Sequence, residues 1–320
     1  MLRNRRKFLK CVVGGTGVAV GGTAWWLAVS KQRAARWTRR LLEDAQRRVE
    51  PAPFKPTPEA WSDNQITLAW LGHSTVLINF YGVRILTDPA LATRVGISIG
   101  LGTLGPKRYV SPALRWHELP PIDVLLLSHA HMDHLDLATI RRMPRGTWTV
   151  TAKSTDDLLD ARRLKLSELG WGERATYQGP KGELVVEAFE VKHWGQRWPS
   201  EKPRGYNGYI LRRENKALLF AGDTAQTPLL GKLRPRGPFE AALMPIGAYQ
   251  PWIRNHCTPE QAVEMANAAG ARYILPVHHQ TFRLSDEPRN EPIERFTTAL
   301  DREPERLGWS RIGETLALKS

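Results

Sequence analysis

Cysteine is scarce. The chain of 320 residues has two, Cys11 and Cys257, too few for a disulfide framework, so stability must come from packing and from any metal the chain binds. Cys257 on its own reads as a packed thiol. No internal repeat and no low-complexity tract stands out. Acidic residues are the minority, 32 Asp and Glu against 46 Lys and Arg, a formal net charge of +14. The excess is local: residues 1–50 carry twelve basic side chains against three acidic ones, and the remaining 270 residues carry 34 against 29. A main domain so mildly basic makes a poor nucleic-acid footprint, and no nucleic-acid partner is expected. Hydrophobic residues at 42% and charged residues at 24% match a globular chain, long enough for one large domain or two small ones.

A long uncharged run, residues 11–30, follows Arg3, Arg5, Arg6, Lys7 and Lys10. A basic start before an apolar, glycine-rich run reads as a targeting signal, and Arg5 and Arg6 followed by KFLK resemble the twin-arginine export signal. The run is also about long enough to span a bilayer, so a plain membrane anchor is the alternative. Residues 28–30 (AVS) offer a small-residue cleavage site, although Trp25 and Trp26 precede it. Basic residues flank the run on both sides, and the twin-arginine pair favours an outward-facing domain, in the periplasm or on the periplasmic face of the inner membrane. Residues 31–49 are expected to be helical, with Trp37, Leu41, Leu42 and Val49 among arginines. Such a helix could lie on anionic lipid or serve as a solvated spacer. Pro51, Pro53, Pro56 and Pro58 predict a stiff linker. The expected organisation is a signal or anchor over 1–30, a basic helix and linker over 31–60, and the main domain over 61–320.

From Ile66 the chain reads as strands. Residues 66–71, 75–80 and 83–87 are apolar or β-branched, with Tyr81 and Gly82 as a tight turn. Residues 123–128, 147–152, 184–192, 208–213, 217–221, 241–245, 273–277 and 314–318 are further strands. Ser154 is expected to cap a helix running to Leu169. Thr258, Pro259 and Gln261 start another helix as a capping box, ending near Gly270, and a last helix lies near 292–301. Many strands with interspersed helices imply layered sheets covered by helices.

Candidate ligands sit just past strand ends: His129 after 123–128, His193 after 184–192, Asp223 after 217–221 and His278 after 273–277. Strand ends on one sheet edge converge in space. Residues 129–134 (HAHMDH) put three of the nine histidines and a carboxylate, His129, His131, Asp133 and His134, on one loop. Packing gives no reason for such crowding. Imidazole and carboxylate suit zinc, with iron or manganese as alternatives. Two ions need more ligands than one loop supplies, and His193, Asp223 and His278 provide them.

This loop resembles the His-x-His-x-Asp-His signature of the metallo-β-lactamase superfamily. The resemblance runs from Ile66 to about His279 and implies an αββα four-layer sandwich of the α/β (α+β) class. It further implies that His129, His131 and His193 hold one metal, that Asp133, His134 and His278 hold the other, and that Asp223 bridges them. A closer resemblance is to the N-acyl-phosphatidylethanolamine phospholipase D branch and its bacterial relatives. It is carried by residues 70–75 (WLGHST), 86–89 (LTDP), 192–194 (KHW), 220–224 (FAGDT), 246–249 (IGAY), 255–259 (NHCTP) and 277–282 (VHHQTF). It implies two-metal hydrolysis of a phosphodiester, with a small-molecule or lipid substrate and membrane association. Departures occur where His279 and Gln280 replace the branch's Trp-Gly, where Ala225 and Gln226 follow the Gly-Asp-Thr, and over 203–209.

Other readings stay open at this point. The same metals could serve a hydrolase of lactones, carboxylic esters or amides, or a metal-bearing envelope protein without turnover. His256, just before a helix start, is the candidate to bind a phosphate oxygen or act as general acid, or it is simply a helix-entry residue. Asp133 is the candidate catalytic carboxylate. Asp88 is expected to brace a ligand loop. His73 lines the site or ties the Gly72 turn, and His279 points away from His278. Trp194, Trp198 and Trp252 flank the motif loops and are expected to wall an apolar pocket.

Overall fold

The computed structural model describes residues 38, 39, 42–100, 102–198 and 200–318. The twin-arginine pair and the apolar run lie outside the described residues, and among the described residues no helix is long and apolar enough to cross a membrane. Contacts divide the chain into Met1–Arg47 and Arg48–Ser320. In the first unit, Thr38, Arg39 and residues 42–46 are helical, and Arg39 pairs with Glu43 one turn on. Residues 47–49 are not helical, so the expected helix stops short of Val49.

The second unit holds two large sheets. The first runs in the order β15 (Thr315–Leu318), β1 (Ile66–Gly72), β2 (Thr75–Phe80), β3 (Val83–Thr87), β6 (Val124–Leu126), β7 (Trp148–Ala152), β8 (Lys165–Leu169). The second runs β14 (Ala271–Val277), β13 (Phe239–Pro245), β12 (Lys216–Phe220), β11 (Gly208–Arg213), β10 (Gly182–Phe189), β9 (Arg174–Gly179). Each sheet is an antiparallel meander that turns parallel toward one side: β3, β6, β7 and β8 in the first, β12, β13 and β14 in the second. A small ribbon pairs β4 (Ile97–Ser98) with β5 (Thr103–Leu104). The β2–β3 hairpin closes through Tyr81 and Gly82, both at positive φ, which matches the twist of the strands they join.

Alternation along the second sheet builds two cores. Tyr209 and Leu211, Leu218 and Phe220, and Ala241 and Leu243 face the first sheet and join Leu68, Leu77, Leu86 and Leu125 in one cluster. Ile210, Leu219, Ala242 and Met244 face the other way, toward α2 (Pro259–Ala269) and α3 (Glu291–Ala299), where Ala262, Ala266, Ile293 and Phe296 meet them. One strand thus serves two layers through its period of two. Phe220 is fully buried, and truncating it to alanine would cost about 3–5 kcal/mol. The sandwich expected from the sequence is present, with thinner helical cover on the first sheet. Among the described residues its parallel crossovers carry only the four-residue α1 (Leu137–Ile140) and single turns.

Two sequence expectations are corrected. The helix from Ser154 to Leu169 is absent. A single turn, Asp156–Leu158, is followed by β8, which extends the sheet parallel to β7. Ser154 sits at φ +61, not the extended conformation a cap needs, so nothing nucleates the helix. The Thr155 hydroxyl instead donates to the Ala152 carbonyl and closes a local turn. The proline-bearing stretch is also no free spacer. The Glu50 N–H donates to Tyr109 O, the Ala52 N–H to the Ser111 hydroxyl and the Phe54 N–H to Ile312 O, and Pro56 and Pro58 are buried. This stretch belongs to the domain.

Candidate metal centre

The strands β6, β10, β12 and β14 all end on one edge of the sandwich, and the residues that follow them converge there. Asp223 follows Gly222, whose φ of +60 suits glycine. A Cβ at Gly222 would also meet Asn207 O and Ser128 Cβ at 2.8 Å each. The motif loop after β6 is clamped by Arg197, whose guanidinium donates to the carbonyls of Ala130 and Leu135, both at 2.8 Å. Sequence reading missed Arg197, because nothing in its neighbours marks a loop clamp.

Three nitrogens meet in the first half of the centre. His129 Nε2 lies 2.8 Å and His193 Nε2 3.3 Å from His131 Nδ1. The remaining ring nitrogens of the outer pair are engaged elsewhere. His193 Nδ1 donates to Asn255 O at 2.8 Å, and His129 Nδ1 contacts the Ser128 hydroxyl at 2.8 Å. That hydroxyl in turn donates to Asp88 Oδ2 at 2.5 Å. These contacts fix the tautomers and leave the inward nitrogens as lone-pair donors. Burial holds His129 and His193 well below the usual imidazole range and takes His131 down to about 4, so all three are neutral, the ligating form.

The second half mixes imidazole with carboxylate. His134 Nε2 and His278 Nε2 each stand 3.1 Å from Asp223 Oδ2, and 3.5 and 3.4 Å from Asp133 Oδ2. Burial works against a charged His134, but Asp223, Asp133 and Asp88 outweigh it and raise the group well above its ordinary range. His278 goes up to about 9 in the same way, burial again opposed by Asp223 and Asp133. Burial would raise the carboxyls of Asp133 and Asp223. His134, with His278 and other imidazoles, overcomes it and holds both well below the usual range. This half therefore favours positive charge.

The donor set fits metal. His134 Nε2, His278 Nε2, His131 Nε2 and Asp223 Oδ1 are buried and lack a partner with hydrogen-bond geometry. Donors around a tetrahedral ion with bonds of about 2.1 Å are about 3.4 Å apart, close to the spacings here. His129, His131 and His193 could hold one ion. Asp133, His134 and His278 could hold another, with His73 in the same cluster and Asp223 against both halves. The seven residues that the sequence singled out as ligands lie together here, with His73, Asp88 and His256 beside them.

The remaining candidates separate. Asp88 accepts from the Ser128 N–H at 2.7 Å and from His134 Nδ1 at 2.7 Å, the bracing expected of it. His256 Nδ1 lies 3.8 Å from Asp223 Oδ2 without a hydrogen-bond partner, and burial takes the ring down to about 4. His73 is buried and contacts Asp133 Oδ2 at 2.9 Å, and burial lowers it to about 3. His279 points away from the cluster and stacks on Trp70 at 4.4 Å, lowered to about 3 by burial. Trp194 packs edge-on to His131 at 4.5 Å and so walls the centre. Trp252 does not wall a pocket: it is 49% exposed, beside Ile253 at 45%. Both lie in a turn in which the Asn255 and His256 N–H groups donate to Trp252 O, and both side chains meet solvent.

Two mixed sheets packed face to face, with imidazole and carboxylate gathered at one edge, define a metal-dependent hydrolase of the metallo-β-lactamase type. Residues 83–279 match the family model described as the beta-lactamase superfamily domain, and the chain belongs to that family. It is 31% identical over 257 residues, 75% of this chain and 71% of the relative, to N-acyl-phosphatidylethanolamine-hydrolyzing phospholipase D 1 of Caenorhabditis elegans. It is also 31% identical over 248 residues, 71% of this chain and 50% of the relative, to the mitochondrial enzyme of the same activity name from Saccharomyces cerevisiae. Among solved structures, an isothiocyanate hydrolase from Delia radicum gut bacteria shares the fold, with a TM-score of 0.62 at 17% identity, covering 79% of this chain and all of that one.

Proposed function

We propose that the protein is a phospholipase D-like phosphodiesterase acting on a phospholipid such as N-acyl-phosphatidylethanolamine. The observation that carries this reading is the 31% identity, over three quarters of the chain, to an enzyme named for that hydrolysis, combined with a largely buried cluster of candidate metal ligands. Zinc is the expected metal at two positions, and iron or manganese would suit the same donors. Two such ions supply Lewis acidity at the ester and bring the pKa of water toward neutrality.

The chain's own groups then have distinct tasks. Asp133 is the more accessible of the two carboxylates, its side chain 17% exposed against 1% for Asp223, and it is placed to orient water or take a proton. His256 is neutral near pH 7, so it serves better as a hydrogen-bond donor to a phosphate oxygen than as a general acid. Trp194 bounds the centre on the His131 side. The exposed Trp252 and Ile253 supply an apolar tip beside the centre, suited to a lipid surface, which supports membrane association. With Arg5 and Arg6 before an apolar run, export to the periplasm or its membrane face is the matching location.

Steady-state kinetics with a soluble aryl phosphodiester, a phospholipid and a lactone test the reading. The phospholipid should be turned over best, and His256→Ala should lower kcat more than it changes KM. Turnover of the lactone alone would replace this reading with a lactonase. No turnover by fully metallated protein would favour a metal-binding envelope protein.

A further inference from the structure

We propose that His73 is a positioning residue that sets the spacing between two ligands of the centre, Asp133 from the first sheet's loop and His278 from the second sheet. It lies in the turn between β1 and β2 and is 1% exposed. Its Nε2 meets Asp133 Oδ2 at 2.9 Å, the same oxygen that faces His134 and His278. Its carbonyl accepts two bonds, from the His278 N–H at 3.1 Å and from Trp70 Nε1 at 2.7 Å. Its N–H donates to Thr281 Oγ1 at 2.6 Å. One residue thus ties a carboxylate by its ring and a histidine loop by its backbone.

The backbone shows that this arrangement is imposed. His73 has φ +53 and His278 has φ +64, the left-handed region that costs a non-glycine residue strain unless its surroundings over-determine it. The three backbone contacts and the ring packing do so: the His73 ring lies 4.3 Å from the His278 ring and 5.3 Å from Phe282. It groups with Asp133, His134 and His278, the residues of one half of the centre. A hydrogen bond from an imidazole to a ligand carboxylate fixes that carboxylate's orientation and so the affinity of the ion it helps hold.

This concerns the metal centre and not the substrate, so the kinetic panel does not bear on it. The test compares His73→Phe, which keeps the ring volume and removes the donor, with His73→Gln, which returns an N–H at similar reach. Each full-length protein is loaded with cobalt, its visible spectrum is recorded, and it is dialysed against graded chelator with metal content measured. In His73→Phe the chelator concentration that strips one of the two ions should fall by about tenfold to a hundredfold, with that ion's spectrum altered and the other retained. His73→Gln should restore both. Wild-type retention of both ions in His73→Phe would overturn the proposal. So would equal loss in His73→Gln, which would make His73 a direct ligand. Parallel loss of both ions, with a lowered melting temperature of the chelated protein, would reduce the residue to a structural role and overturn it too.

Discussion

Asp88 Oδ2 lies 2.7 Å from His134 Nδ1, and neither side chain has any exposed surface. The carboxylate accepts from Nδ1, so Nε2 is the nitrogen turned toward Asp223 and the one that would hold an ion. Asp88→Ala should therefore weaken retention of one ion by about tenfold to a hundredfold. Asp88→Asn should be no milder, because its amide can donate to Nδ1 and move the ring proton to Nε2, where a ligand is needed. Metal analysis after dialysis against chelator is the check, and unchanged retention in both variants would remove Asp88 from the centre's support.

Trp252 and Ile253 place apolar surface in water in the turn before α2. Trp252→Ser/Ile253→Ser should cut binding to phospholipid vesicles and raise KM for a vesicular substrate, while kcat/KM for a soluble aryl phosphodiester stays within about twofold. Cosedimentation and the two assays together decide it. Equal loss on both substrates would mean that the loop shapes the centre.

Arg5→Lys/Arg6→Lys should leave the protein in the cytoplasm if export runs through the twin-arginine route. Unchanged cell fractionation would indicate an ordinary anchor or signal.

Thr258 caps α2 reciprocally: its hydroxyl accepts from the Gln261 N–H at 3.4 Å, and Gln261 Oε1 accepts from the Thr258 N–H at 3.0 Å. Thr258→Ala should cost about 1 kcal/mol and lower the melting temperature by about 2–4 °C in calorimetry. No shift would mean that packing of Ala262 and Ala266 alone holds the helix end.

Cys257 is 1% exposed, and burial followed by the negative Asp223 pushes its thiol well up from the ordinary value. A raised thiol pKa keeps the group protonated and unreactive at pH 8. In a Cys11→Ser background the native protein should resist a disulfide reagent at that pH and react fully in denaturant. Rapid labelling of the native protein would show that the loop after β13 opens.

The ligand cluster was legible because crowded imidazoles at strand ends have no packing explanation, and the capping box at Thr258 was legible because it is local. What escaped notice is long-range or depends on one dihedral. His73 and Thr281 bond across 208 positions, so pattern alone left His73 undecided. Residues 154–169 carry a plausible cap and leucines, yet the left-handed Ser154 and the open edge of β7 turn their second half into a strand. Trp252 lies beside the motif loops in sequence, but its side chain is half exposed, which no spacing could reveal.

The candidate ligands are drawn from loops that follow β6, β10, β12 and β14, so they span both sheets and most of the domain. A chain still on the ribosome can display His129, His131, Asp133 and His134 as soon as β6 is made. It can close neither half of the centre until β10 delivers His193 and β14 delivers His278. Ion capture is therefore a late step in biosynthesis, and binding free energy is released only to a nearly finished fold. Which metal enters is then settled by what is plentiful where folding finishes, ahead of the donors' own ranking of ions. If the chain is exported folded, it carries the metal supply of the compartment it left into the one where it works.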